Sequence, residues 1–81
     1  MSGNAKRIRW RCRRGLRELD VLLETYFART GPALTDQELY LFEKFLDVND
    51  MDLYAWLTRR KAPTDDKFVQ LVETILSTKE N

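Results

Sequence analysis

The stretch "LDVLLETYF", residues 19–27, places apolar side chains at intervals of 3, 4, 7 and 8 residues from its first position. The apolar positions are Leu19, Leu22, Leu23, Tyr26 and Phe27. This spacing predicts an α-helix with one buried face, because residues three and four apart lie on the same side of a helix. We expect the helix to end at Gly31, since the following Pro32 cannot continue it.

Two further helices are predicted after this stretch. Thr35 and Glu38 have the spacing of a capping box, which predicts the start of the first one. The second begins at Asn49 or Asp50, and the basic residues 59–61 are expected at its negative end. The predicted core faces are Leu39, Phe42, Phe45 and Leu46 in the former helix and Leu53, Trp56 and Leu57 in the latter.

Both ends of the chain are also predicted to be helical. The last helix begins at Pro63 and Thr64, and its core face is Phe68, Leu71, Val72, Ile75 and Leu76. The first runs from about Ala5 to Arg13 and ends near Gly15, because glycine readily adopts the left-handed conformation that terminates helices. No segment alternates in the manner of a strand. The sequence therefore predicts an all-α, compact five-helix bundle, a single domain over residues 1–81 with flexible ends at 1–5 and 77–81.

The charges of this 81-residue chain are strongly segregated, although its net charge is only +1. Residues 1–17 hold seven cations and no acid, whereas residues 18–58 hold nine acids and two cations. A composition of 43% hydrophobic and 33% charged residues is too apolar for disorder at this net charge. Such asymmetry usually concerns the partners of a protein, so we expect an interaction surface near the basic end.

The residue content excludes several classes of site. With one cysteine and no histidine, the chain lacks the usual ligand sets for zinc and the usual base for a serine nucleophile. Arg11 and Arg13 flank Cys12 and favour its thiolate, but a free cysteine is more often a small buried apolar residue, and we expect that role. No apolar run approaches the roughly 20 residues of a membrane span. We therefore expect no catalytic residue, no metal and no membrane insertion.

The basic N-terminal helix carries two stripes of arginine. One stripe, within about 60° on a helical projection, comprises Arg7, Arg11 and Arg14. Arg9 and Arg13 form the other, and Trp10 lies between the two, either exposed among the arginines or packed against the next helix. Arginine interleaved with tryptophan suits nucleic acid, which is the alternative function. The acidic middle would repel a polyanion, so a protein partner with a mixed or acidic site fits better.

Two motifs carry a resemblance to a known family. The stretch "RIRWRCRRGLRELD", residues 7–20, contains the pattern R-G-x-x-E at Arg14, Gly15 and Glu18, followed by Leu19 and Asp20. Further on, "DMDLYAWL", residues 50–57, matches D-x-D-L-x-x-W-L. In this order the motifs resemble the SdhE family, also called YgfY-like, of succinate dehydrogenase flavoprotein assembly factors. The resemblance covers residues 6–76.

The resemblance implies a five-helix domain that binds the flavoprotein subunit of succinate dehydrogenase, and in some members fumarate reductase, and promotes covalent attachment of FAD. In such a reaction the chemistry belongs to the flavin and to the client, so the helper needs no nucleophile and binds no cofactor stably. The short segment before Lys6 leaves no room for the targeting presequence of mitochondrial members, which favours a bacterial, cytoplasmic protein or an already processed form. We therefore expect a cytoplasmic, bacterial protein that is monomeric and binds no nucleic acid.

The resemblance also implies a partner-binding site. Its residues are Arg14, Gly15, Glu18, Arg7, Trp10, Arg11 and Asp20. Gly15 would allow close approach of the client, Arg14 would offer a planar fork to a carboxylate or phosphate, and Glu18 would accept hydrogen bonds or orient Arg14. In the alternative, Arg14 and Glu18 form a helix-surface ion pair of about 0.3 to 0.5 kcal/mol, and Gly15 only ends a helix.

Overall fold

The computed structural model describes residues 3–79 and arranges them in five α-helices and one 3-10 turn. In chain order these are α1 (Gly3–Arg11), α2 (Arg17–Thr30), the 3-10 turn (Gly31–Ala33), α3 (Asp36–Leu46), α4 (Asp50–Leu57) and α5 (Asp66–Lys79). Within the described range there is no strand, and the helices surround one core in a body of 36 × 26 × 26 Å. The predicted all-α five-helix bundle is confirmed.

The core lies around α2, which packs most extensively against α5. The predicted buried face of α2 is confirmed, with only Phe27 partly exposed. Rings of α3, α4 and α5 meet in a cluster in which Phe45 lies 5.9 Å from Trp56 and 5.4 Å from Phe68, measured between centroids. From the N-terminal end, Ile8 and Cys12 are fully buried in the same core and attach α1 to the bundle.

Side-chain caps fix the starts of α3 and α4. Thr35 and Glu38 form the predicted capping box, in which each side chain accepts a hydrogen bond from the other residue's backbone N–H, at 3.1 and 2.8 Å. Of the two candidates before α4, Asn49 is the cap, because its side chain accepts from the N–H of Asp52 at 2.9 Å. These bonds satisfy backbone donors that a helix start leaves without partners.

The predicted end of α1 was wrong by two residues. The helix ends at Arg11, and Gly15 lies further along, inside the loop to α2. The backbone N–H of Arg14 does not continue the helical hydrogen bonds of α1. It donates instead to the carboxylate of Asp20. Gly15 has a φ of 90°, so the left-handed backbone that we expected of it is present but shapes a loop rather than terminating a helix.

The predicted end of α2 is confirmed, because the helix stops at Thr30 and its C-cap is Gly31. Gly31 is right-handed, with φ −50° and ψ −48°, and the chain passes from α2 directly into the 3-10 turn. Its missing side chain serves a different purpose, because a Cβ at this position would lie 3.0 Å from the ring of Phe27. That ring stacks on Phe42 with an interplanar angle of 6°. The glycine therefore makes room for an aromatic stack.

The connection between α4 and α5 was predicted only in part. Arg59 lies just beyond the end of α4, as expected, and Thr58 is the cap between them. The Arg59 guanidinium binds Glu73 of α5 through two hydrogen bonds of 2.8 and 3.0 Å. Its φ of 62° allows the next two backbone N–H groups to bond to the carbonyl of Ala55. Helix α5 starts at Asp66, later than predicted, because Asp65 caps it by accepting from the backbone N–H two residues on, at 2.8 Å.

The ends of the described range are helical. Helix α1 begins at Gly3 and α5 extends to Lys79, while residues 1, 2, 80 and 81 lie outside the described range. Flexibility of residues 1–5 and 77–81 stays a prediction. Between residues 3 and 79, no helix is long and apolar enough to cross a membrane.

Candidate functional site

The first arginine stripe of the sequence faces acidic residues of the same chain, although the Arg7 side chain stays 60% exposed. Arg7 and Arg11 lie 3.2 and 3.9 Å from the carboxylate of Glu43, and Arg11 also binds Asp47. We call Arg7, Arg11 and Arg14 the arginine ladder, because each bonds to an acid 36 residues further on. A constant separation means that α1 runs parallel to α3. Two of the predicted partner-binding residues, Arg7 and Arg11, therefore meet acids of their own chain.

The guanidinium of Arg14 is used within the protein. Its side chain is 16% exposed, and Nε donates to Asp50 Oδ1 at 2.7 Å. The other two nitrogens donate to backbone carbonyls at 2.7, 2.9 and 3.3 Å, and these belong to Leu46, Val48 and Arg11. Arg14 therefore pairs with Asp50 and not with Glu18, so the surface ion pair considered as the alternative is absent. Nor does its fork point to a partner.

The backbone of the same residue is held from α2. The N–H of Arg14 donates to Asp20 Oδ1 at 2.5 Å, which explains why an acid stands two positions after Glu18. Gly15 follows directly and is exposed, and a Cβ built on it would meet no atom within 4 Å. Crowding within this chain therefore does not require the glycine. The left-handed backbone at this position requires a glycine, and close approach by another molecule would require one as well.

An open groove of about 430 Å³ lies beside Gly15. Its lining mixes cations, acids, one apolar side chain and one hydroxyl, namely Arg13, Arg17, Asp20, Glu24, Val21 and Thr25. Arg13 lies 3.6 Å from Glu24, whereas Val21 is 55% exposed. We call the exposed segment Gly15–Glu18 together with this groove the Gly15 edge.

Glu18 and Trp10 are both open to solvent. Within the described part of the chain, Glu18 forms no hydrogen bond or ion pair, so its carboxylate is available to a partner. Trp10 is 72% exposed, which decides between the two alternatives for its side chain: it does not pack against α2. Exposed tryptophan and valine side chains are typical of interaction surfaces.

Sequence reasoning missed part of the Gly15 edge. Leu16, Arg17 and Val21 were not predicted as site residues, although all three are exposed. A signal existed for Val21, since an apolar residue on the polar side of the α2 pattern has no place in the core. The edge therefore joins Gly15 and Glu18 to further residues of α2. Arg14 holds it from behind, and Asp20 both lines the groove and binds the backbone of Arg14.

Cys12 has no place at this surface. Burial, and secondarily the charge of Glu24, raises the pKa of its thiol to about 12. The structural role expected for this cysteine is therefore confirmed, because a buried thiol of such pKa is neutral at physiological pH. Among the residues that the structure describes, no group of three or more Cys, Asp or Glu side chains is arranged to hold a metal ion.

A comparison with known protein families shows which family the chain belongs to. The family described as "Flavinator of succinate dehydrogenase" matches residues 6–79. The chain belongs to this family. The resemblance carried by Arg14, Gly15 and Glu18 is thereby confirmed, and the motif coincides with the Gly15 edge and its support.

Curated proteins similar to this chain agree with that family. The FAD assembly factor SdhE of Yersinia pseudotuberculosis is 39% identical over 74 residues, covering 91% of this chain and 84% of the relative. The protein of that name from Coxiella burnetii is 39% identical over 71 residues, covering 88% and 87%. A third, from a Serratia strain, is 36% identical over 78 residues, covering 96% and 89%. No solved structure shows a significant match to the chain.

Proposed function

We propose that this protein is an assembly factor that binds the flavoprotein subunit of succinate dehydrogenase, its client, and promotes covalent attachment of FAD to it. Family membership over residues 6–79 carries the proposal. Relatives that match most of this chain are named FAD assembly factors. The Gly15 edge supports it from the geometry, because it is an exposed surface with an uncommitted carboxylate and room for close approach.

The mechanism is binding rather than chemistry by this chain. The flavin and the acceptor residue of the client supply the reactivity, so FAD stays with the client and the helper contributes no catalytic group. A binder accelerates such a step only by stabilising one arrangement of the client more than the others. The arrangement selected here brings FAD and its acceptor together, which lowers the entropic part of the barrier.

Each part of the Gly15 edge has a role in this proposal. Gly15 lets the client backbone come close, since no side chain separates them. Glu18 accepts hydrogen bonds from the client, and its exposure supports that role. The cations and acids of the groove suit a client surface of mixed charge. Trp10 adds apolar contact area outside the groove.

The arginine ladder argues against nucleic-acid binding, which was the alternative function. A nucleic-acid surface needs arginines free to meet phosphates. Here Arg7, Arg11 and Arg14 each bind a carboxylate of the same chain, which reduces the positive potential of α1. Binding of nucleic acid through the N-terminal helix is therefore not supported, and we do not include it in the proposal.

The remaining parts of the proposal concern the oligomeric state of the protein, its location in the cell and a second client. We propose that it acts as a monomer in the bacterial cytoplasm and that fumarate reductase is a second client. The curated relatives come from bacteria, which supports the bacterial location.

A reconstitution experiment tests the proposal. Purified protein, apo flavoprotein subunit and FAD are mixed, and covalent flavin is followed by its fluorescence on a denaturing gel. We expect the protein to accelerate flavin attachment, and Glu18→Ala to reduce the acceleration about tenfold, the effect of losing one charge-assisted hydrogen bond. Asp66→Ala is the matched control, since it also removes an exposed acid from the first turn of a helix.

Either of two results contradicts the proposal. If the wild-type protein leaves the rate of attachment unchanged, the function is wrong. If Glu18→Ala and Asp66→Ala are both as active as wild type, the function stands and the assignment of the Gly15 edge fails.

A further inference from the structure

Arg14 connects three parts of the fold at the point where the arginine ladder ends. Its guanidinium donates to the carbonyls of Leu46 and Val48, which close the C-terminal end of α3. It also donates to Asp50 in the first turn of α4. One side chain thus ties the loop before α2 to the corner between α3 and α4. The last carbonyls of a helix lack partners within it, so this corner is a natural acceptor for a cation.

Asp50 supplies the negative charge in this arrangement. In the described range it is the acid that forms an ion pair with Arg14, at 2.7 Å, and its own side chain is 40% exposed. The remaining acceptors of Arg14 are neutral carbonyls. A guanidinium that is 16% exposed and lacks a counter-charge would be drawn toward water, away from the corner.

The position of Arg14 determines the position of Gly15. Its side chain is fixed by α3 and α4, and its backbone N–H is fixed by Asp20 of α2. Gly15 is the next residue, with a φ of 90° and open space beside it. A residue clamped through both its side chain and its backbone leaves little freedom to its neighbour. The geometry of the Gly15 edge therefore depends on a carboxylate 36 residues after Arg14.

We propose that Asp50 is a positioning residue for client binding, which acts through Arg14 to hold the Gly15 edge in the shape that the client recognises. The inference rests on the proposed function. It assigns Asp50 no contact with the client. Pre-ordering a loop raises affinity because the cost of ordering it is not incurred on binding.

A matched variant separates this role from a general effect on α4. Asp52 lies in the same first turn and bonds to the side chain of Asn49 at 3.0 Å. Asp50→Ala and Asp52→Ala both remove an acid from the positive end of α4, but only Asp50→Ala releases Arg14. Asp50→Asn is the milder variant, since it removes the charge and keeps an acceptor. It replaces Asp50→Ala in both measurements if Asp50→Ala does not fold.

The experiment has one readout without the client and one with it. Amide hydrogen exchange of the free protein should be about tenfold faster at Arg14 and Gly15 in Asp50→Ala than in Asp52→Ala. The dissociation constant for the apo flavoprotein subunit should rise about tenfold in Asp50→Ala. In an Arg14→Met background, where the cation that pairs with Asp50 is already absent, Asp50→Ala should weaken binding by less than about twofold further.

The outcomes distinguish the inference from the proposed function. Unchanged exchange at Arg14 and Gly15 would overturn the inference whatever the client does. Faster exchange with unchanged affinity would also overturn it, as would full additivity of the Asp50 and Arg14 substitutions. If the wild-type protein does not bind the subunit at all, the proposed function fails and the inference with it, and the exchange measurement still records whether Asp50 holds the loop.

Discussion

Arg14 Nε and Asp50 Oδ1 lie 2.7 Å apart although 36 residues separate them in the chain, and the same separation joins Arg7 to Glu43. The basic start and the acidic middle of the sequence are thus complementary parts of one molecule. The charge asymmetry is largely used inside the protein, between α1 and the helices α3 and α4. Segregation of charges along a sequence therefore does not by itself imply a strongly charged binding surface.

The first prediction concerns Arg14 and stability. Arg14→Met keeps the apolar stem but removes the guanidinium and its bonds to Asp50, Leu46 and Val48. We expect the free energy of unfolding to fall by about 2 kcal/mol, because these bonds are charge-assisted and partly buried. Arg14→Lys should recover only part of the loss, since an ammonium cannot reproduce the fork. Urea denaturation measures both. The exposed Arg17→Met is the control, and an equal loss there would contradict this account.

The second prediction concerns the ladder between α1 and α3. Arg11→Asp should lower the free energy of unfolding by about 0.5 to 1 kcal/mol, because it places a new carboxylate beside Asp47 and Glu43. Adding Asp47→Arg should restore part of that loss by recreating a pair of opposite sign. A double-mutant cycle on urea denaturation gives the coupling energy. A coupling of zero at low salt would show that α1 is not held in this register.

The third prediction concerns the reactivity of Cys12. Its pKa of about 12, raised mainly by burial, keeps the thiol neutral in the folded protein, whereas the unfolded thiol titrates near its ordinary value of 9.0. Ionisation therefore favours the unfolded state once the pH exceeds 9.0, and stability from this group is lost as pH rises toward 12. At pH 8, a thiol reagent should label native protein far more slowly than protein in urea. Equal rates would contradict the burial of Cys12.

The fourth prediction concerns the backbone at Arg59. Its left-handed φ of 62° is costly for a residue with a side chain. Arg59→Gly and Arg59→Ala both remove the guanidinium that binds Glu73, so they differ only in backbone strain. We expect the glycine variant to be more stable than the alanine variant by about 1 kcal/mol. In both, the pKa of Glu73, which Arg59 holds below its ordinary value of 4.5, should rise in an NMR titration.

The sequence predicts the helices well where local chemistry determines them. The periodic face of α2 and the capping box of Thr35 and Glu38 involve residues only three or four positions apart, and both are present. The family motif at Gly15 could likewise be located without a structure. These features depend on interactions within one turn of a helix, which a sequence displays directly.

Other features depend on how distant segments pack. The stripe that contains Arg7 and Arg11 is the same in sequence whether it faces a partner or an acidic helix. Its direction is fixed by Ile8 and Cys12, whose burial turns the stripe toward α3. Gly31 gives a similar difficulty, because the nearby ring of Phe27 that fills its space stacks on Phe42 of another helix. No local pattern contains that information.

The most direct test of the central claim compares two substitutions of Gly15. Gly15→Ala and Gly15→Arg incur the same backbone strain, about 1 to 3 kcal/mol, because both require a side chain at a φ of 90°. Neither side chain is crowded at its Cβ, since a Cβ built at this position meets no atom within 4 Å. The two variants differ in what they offer a client: Gly15→Arg adds both bulk and a positive charge that Gly15→Ala lacks.

The measurement is the initial rate of covalent FAD attachment to the apo flavoprotein subunit, with unfolding free energies of both variants measured alongside. If the client approaches Gly15 closely, the two variants will be equally stable, Gly15→Ala will retain part of the acceleration, and Gly15→Arg will lose at least about tenfold. If both variants accelerate attachment equally at equal stability, the Gly15 edge is not where this protein binds its client.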